Sequence, residues 1–117
     1  MMRKTLLLLA ALGIAWGATA RQTLEEATDS IRQIYARAQA GNPADQNEVG
    51  GWYYRGRHVP QNFQTAAQYW AKAAQSGNAL AIGNMALCYQ TGNGVSAPDS
   101  LRATMLYLRS IREGNTA

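Results

Sequence analysis

Few residues in this chain are of types that could do chemistry. His58 is its one imidazole and Cys88 its one thiol. As a general base, His58 would need a carboxylate to orient it and a nucleophile within reach. No Ser or Cys stands in a nucleophile-elbow context, and His58 falls in the short stretch Gly56–Pro60, which reads as a turn between helices. Glu25-Glu26 is a pair of adjacent carboxylates, but its place predicts the first turn of a helix, where negative charge meets the positive end of the helix dipole. Gly92-Asn93-Gly94 resembles a phosphate loop only in its glycines. It has no strand pattern before it and no Lys-Ser/Thr pair after it, so it reads as a turn. One Cys and one His exclude a multi-ligand Cys/His zinc site and a disulfide framework within the chain. The expectation is a protein with no catalytic, cofactor-binding or metal-binding residues, and no enzyme.

The chain has 117 residues. Met1-Met2-Arg3-Lys4 is a basic start, Thr5–Trp16 an apolar run, and Ala18-Thr19-Ala20 a small-x-small site of the kind a signal peptidase accepts. The apolar run falls short of the roughly 20 residues that span a bilayer. Residues 1–20 therefore read as an export signal cleaved after Ala20, and the mature protein as periplasmic or secreted, without a membrane anchor. The lone Cys is far from the cleavage point, which excludes a lipoprotein. Residues 21–117 suffice for one modest core. With Arg3 and Lys4 set aside, nine basic residues face seven acidic ones, a net charge of +2. The basic residues are scattered, so no nucleic-acid partner is expected. In an oxidising compartment Cys88 is either buried or paired between chains; its apolar setting, Met85-Ala86-Leu87-Cys88-Tyr89, favours a small core side chain.

Self-comparison is more informative than any single motif. Gly41-Asn42 recurs as Gly77-Asn78 and again as Gly114-Asn115, and Tyr53-x-x-Gly56-x-x-Val59 recurs 36 residues later as Tyr89-x-x-Gly92-x-x-Val95. Asn62-x-x-x-Ala66 recurs after 37 residues as Asp99-x-x-x-Ala103, with Lys72 matching Arg109. The chain thus reads as a half-unit at 21–40 and two units at 41–76 and 77–113, each a pair of short helices. Gly at a helix end, Asn as a cap and Pro in the first turn punctuate the pairs. The expected core is Asp45, Val49, Trp52 and Tyr53, then Ala66, Tyr69, Trp70, Ala73 and Gly77. In the second unit it is Ala81, Met85, Cys88 and Tyr89, then Ala103, Leu106, Tyr107 and Ser110. Small residues would let helices approach while aromatics fill the facing space. In the half-unit, Thr23-Leu24-Glu25-Glu26 has the form of a capping box. Leu24, Ala27, Ile31, Ile34, Tyr35 and Ala38 form one stripe. Five helices and no strand follow.

These residues resemble the SEL-one-like repeat (SLR) family, a branch of the tetratricopeptide-like α/α solenoids. Gly77-Asn78-Ala79-Leu80-Ala81, Met85-Ala86, Tyr89, Gly92, Gly94 and Val95 fall in the family's register. So do Val49-Gly50, Tyr53, Gly56, Val59, Asn62-Phe63, Ala66, Tyr69-Trp70 and Lys72-Ala73-Ala74. The resemblance implies an all-α, short right-handed solenoid used for binding other proteins. Asp45 stands where a small apolar residue is usual, His58 where the second loop glycine belongs, and Leu106-Tyr107 in place of the Trp-Tyr pair. Members with a reported penicillin-binding activity have a disulfide-stapled design that one Cys cannot make, so that activity is not implied.

In stacked helix pairs the first helix of each pair generally lines the concave surface. Asn47, Tyr54, Arg55, Arg57, Asn84, Leu87 and Gln90 are the expected partner-binding residues there. Tyr54 and Arg55 are taken as anchors of a kind enriched at binding hot spots, both dispensable for folding. The last helix exposes Leu101, Met105 and Leu108, an end fit to dock on a partner or on a second copy. Three functions follow from the pattern: a non-catalytic interaction module, an immunity or inhibitor protein against a periplasmic toxin or hydrolase, and, least favoured by the residues, a cell-wall-acting enzyme.

Overall fold

Four helices begin on a side-chain oxygen. Asn42, Asn62, Asn78 and Asp99 are extended, and each accepts the backbone N–H three residues on, at 3.0, 3.0, 2.9 and 3.0 Å. Each thereby satisfies one of the amides that a helix start leaves without a partner. The computed structural model describes residues 15–114, with side chains from Arg21 onward. The helices are α1 (Ala15–Gln39), α2 (Pro43–Arg55), α3 (Phe63–Gln75), α4 (Ala79–Thr91) and α5 (Ser100–Arg112). No described residue is in a strand. The five-helix, all-α expectation holds. The export-signal reading falls mostly on residues outside those described.

The chain divides into two compact units, residues 1–33 and 34–117. The described part of the first is helix throughout, its side chains from Arg21 to Ser30 exposed. Its ordering groups lie one turn apart on its own surface, as in Arg21–Glu25 at 3.0 Å. The expected capping box is not formed: the helix starts at Ala15, so Thr23 lies in its interior, since nothing between Ala18 and Thr23 breaks the helix. The expected stripe is not buried here either, with Leu24 69% exposed.

In residues 34–117, α2 packs along α3, α4 along α5, and α3 against α4. The two repeats close their loops with the same bond: Asn62 N–H donates to the Tyr53 carbonyl at 2.8 Å, and Asp99 N–H to the Tyr89 carbonyl at 2.7 Å. Two clusters of buried side chains lie at the seam between the pairs. One cluster joins Ala66, Ala67 and Trp70 of α3 to Cys88 of α4, with Tyr53, Tyr54, Met85 and Val95 around it. The other joins Ala73 and Ala74 to Ala81 and Ile82, with Met85 and Leu106. Trp70 explains the glycine opposite it: a Cβ on Gly50 would stand 2.5 Å from the indole. The indole N–H donates to the Asn47 carbonyl at 2.9 Å.

The departures from the repeat pattern have local reasons. Asp45 is not core; it pairs with Arg37 at 2.8 Å, holding the guanidinium above its ordinary pKa, and so fastens α2 to the end of α1. His58 adopts φ 64°, the left-handed backbone that Gly94 takes in the second repeat at φ 79°. Its ring meets Trp52 edge-on, centroids 5.0 Å apart. Tyr107, expected in the core, is 37% exposed, its hydroxyl donating to Gln90 Oε1 at 2.7 Å. Gln46, buried where the second repeat has Ile82, donates to the Ala38 carbonyl at 3.2 Å and leaves its Oε1 without a partner.

Candidate functional site

The first helices of the two repeats, α2 and α4, are clipped together by Asn84 Nδ2 donating to Asn47 Oδ1 at 2.8 Å. Both residues are half-buried. Two of the expected partner-binding residues are therefore neighbours, and each amide spends part of its hydrogen-bonding capacity on the other. Leu87, one turn beyond Asn84, is half-buried. Gln90, a further turn on, is exposed, with its Oε1 accepting from Tyr107. Arg55 closes α2 and is exposed, as is Arg57 in the following loop. Neither guanidinium has a carboxylate partner among the described residues, so both are free to meet one.

Tyr54 requires a correction. It is no free anchor on the outer face: its ring packs against Phe63, centroids 4.9 Å apart, and against Trp70, 5.1 Å apart. Its hydroxyl accepts from Asn93 Nδ2 at 3.2 Å. The ring thus borders the first core cluster, and the phenol ties α2 to the loop after α4. Tyr54 is not dispensable for folding in the way Arg55 is. The cause is helical phase: at 100° per residue Tyr54 lies on the same side as Gly50, whose missing side chain makes room for the Trp70 indole of α3.

The sequence reading missed Asn93 and Gln46. Asn93 sits in a loop that by pattern is only a turn, and nothing in its neighbours points to a phenol 39 residues earlier. Gln46 could have been found by register, since its counterpart is Ile82.

The chemistry available on this face is recognition. It offers amides, one leucine, a free Arg55 and the nearby Arg57. His58 is exposed and edge-on to Trp52, with no nucleophile bonded to it. Cys88 is fully buried, and burial pushes its thiol up to about 11. A buried thiol held in its neutral form is neither nucleophile nor metal ligand. Among the described residues no group of three His, Cys, Asp or Glu could hold a metal ion. No helix among them is long and apolar enough to cross a membrane.

The profile of the Sel1 repeat matches residues 43–78 and 79–115. Three solved structures are similar. A Sel1 repeat protein from Oxalobacter formigenes shares 34% identity over 62% of this chain and 29% of its own, with a TM-score of 0.60. The protein c5321, a protective antigen of uropathogenic Escherichia coli with an SLR fold, shares 31% identity over 74% of this chain and 18% of its own, TM-score 0.66. Helicobacter pylori cysteine rich protein B, at 16% identity, covers 96% of this chain and 85% of its own with a TM-score of 0.69, a likeness of fold. The chain spans less than a third of the length of the first two. No curated protein matches. With the profile covering both repeats and the helices stacked as the repeat demands, the chain belongs to the Sel1 repeat family.

Proposed function

We propose that this protein is an exported, non-catalytic interaction module that holds another protein on the face of α2 and α4. Sel1 repeat proteins generally mediate protein–protein interactions, and the family is typically a non-catalytic scaffold. The observation that carries the reading is the Asn47–Asn84 clip at 2.8 Å. It sets the first helices of two repeats side by side, with Arg55 beyond them unpaired. A hydrogen bond that already joins the two helices leaves less to be ordered when a partner binds. The export part of the reading is supported by Met1–Ala20, whose basic start, apolar run and Ala18-Thr19-Ala20 site have the form of a cleaved export signal.

The test has two parts. Cell fractionation should recover the chain in the periplasmic extract with Arg21 as its first residue; a chain retained in the cytoplasmic fraction and still starting at Met1 sinks the export reading. A partner crosslinked to the protein in that extract should be captured at least tenfold less well by Arg55→Ala with Leu87→Ala, at an unchanged melting temperature. Tenfold corresponds to about 1.4 kcal/mol, within what one interface anchor contributes. Full capture by the double variant removes the α2–α4 face from consideration.

A further inference from the structure

A second surface lies on the other side of α4. Here α3 and α5 flank a groove of about 590 Å³, with Met85 and Leu106 among its lining residues. Its α5 wall carries Leu101 and Met105, which are 72% and 62% exposed. The repeat itself does not ask for apolar side chains there. Counted back 37 residues, the same positions on α3 are Gln64 and Gln68, which are exposed and polar. The fold is thus satisfied by glutamine at both places, and the second repeat departs from it toward exposed apolar surface.

The charge of the groove is one-sided. Arg109 lines it and is half-buried, and its side chain has no carboxylate or hydrogen-bond partner among the described residues. Arg102 stands over the Tyr89 ring, 4.9 Å from its centroid, and donates to the Tyr89 hydroxyl at 3.1 Å. The acid in the lining is Asp99, whose Oδ1 caps α5 and whose Oδ2 is 3.9 Å from Arg102 Nε. One carboxylate faces two guanidiniums. A second copy docked here face to face would bring the same arginines and repel. A fatty acid has the right charge, but ligand sites enclose about 70–90% of a small molecule. A wall as exposed as Leu101 and Met105 does not enclose one.

We propose that this groove docks an amphipathic helix of another protein, whose apolar side chains lie on Leu101 and Met105 and whose carboxylates reach Arg109 and Arg102. Two parallel ridges with an apolar floor are what a helix laid in a groove needs, and methionines at floor and wall let the surface adapt to it. The inference does not rest on the α2–α4 face and stands or falls separately.

The probe is a pair of fluorescein-labelled 14-residue peptides with Leu at i, i+3, i+4 and i+7, one with Glu and one with Lys at the remaining charged positions. Anisotropy with the purified full chain should show the Glu peptide binding at least tenfold more tightly than the Lys peptide. Leu101→Gln with Met105→Gln, the residues of the first repeat, should weaken it at least tenfold with an unchanged helical melt. Arg109→Ala should cut the preference for Glu at least threefold, Arg102 remaining, and keeps the test decisive if the double variant is unstable. Arg55→Ala with Leu87→Ala should change nothing. The proposal is overturned by equal binding of the two peptides, by no saturable binding, by loss of binding in the Arg55/Leu87 variant, or by displacement of the Glu peptide by laurate at lower concentration than by unlabelled peptide. A dimer in sedimentation that Leu101→Gln with Met105→Gln dissociates also overturns it, in favour of a second copy.

Discussion

At position 58 the fold asks for a backbone that an L side chain resists. His58 holds φ 64°, and an L residue pays about 1–2 kcal/mol for the left-handed region. The edge-on contact with Trp52 at 5.0 Å returns about 0.5–1.5 kcal/mol. These nearly cancel, which is how a histidine is tolerated where Gly94 sits in the second repeat. Replacing the ring separates the two effects. His58→Ala keeps the strain and loses the contact; His58→Gly loses both. Glycine should therefore be more stable than alanine at this site by about 1 kcal/mol in urea unfolding, the reverse of their order in ordinary helix or strand positions. Alanine equal to or better than glycine would mean that the turn relaxes out of the left-handed region when the ring is gone.

The loop after each first helix is an element whose shape is set by close approach. A Cβ built on Gly94 would run into the Phe63 carbonyl, a backbone group that cannot swing away. Gly41 has a comparable positive φ of 105°, yet a Cβ there meets nothing within 4 Å. Gly94→Ala should thus cost at least twice what Gly41→Ala costs, where the backbone penalty alone is about 1 kcal/mol; thermal melts of the two variants give the comparison. The repeat made such elements legible, because a glycine, a cap and an aromatic recurring together mark one structural unit twice. What depended on a single copy was harder to read. Asp45 lay on the apolar phase of α2 and was expected in the core, but its partner Arg37 belongs to the helix before, and phase alone does not show an ion pair. That Tyr54 faces inward depends on the close approach of α3 at Gly50, which no spacing in the sequence marks. The α2–α4 face was legible as a surface. That Asn47 and Asn84 would spend amides on each other was not, since the hydrogen bond spans 37 residues.

At the scale of the molecule, burial of Cys88 makes stability depend on alkaline pH. The thiol titrates near 9.0 when exposed and is pushed up to about 11 in the fold. Below pH 9 both states hold the proton and the burial is uncontested. From pH 9 to 11 the unfolded chain releases it while the folded chain does not, so stability falls as pH rises. Burial and the nearby Tyr35 push the Tyr69 phenol up to about 12, which extends the same trend above pH 10. The urea midpoint should decline from pH 9 upward, and less steeply in Cys88→Ala. An identical slope in the variant would assign the decline to tyrosine alone.

The same seam that buries Cys88 decides how the two repeats unfold. A stacked repeat protein is stable to the extent that its units share surfaces, and units with private cores can come apart singly. Here both clusters of buried side chains span the two repeats. Trp70 packs with Cys88, and Ala73 and Ala74 with Ile82, each across the α3–α4 boundary. Asn47–Asn84 and Tyr54–Asn93 add hydrogen bonds over the same boundary. Removing one repeat would expose the buried residues of both, so unfolding should be a single transition. The probes for this are built in: Trp52 and Trp70 belong to the first repeat, whereas helical ellipticity reports both. Urea curves from indole fluorescence and from ellipticity at 222 nm should coincide. The stronger form uses Ile82→Ala, a fully buried side chain in the repeat that carries no tryptophan. Truncating it costs about 2–5 kcal/mol, and at about 1–3 kcal/mol per molar urea the midpoint should fall by about 1–2 M. If the repeats are one cooperative body, the tryptophans of the first repeat report that full shift. If they keep the wild-type midpoint while ellipticity moves, the repeats melt separately and the seam is not their shared core.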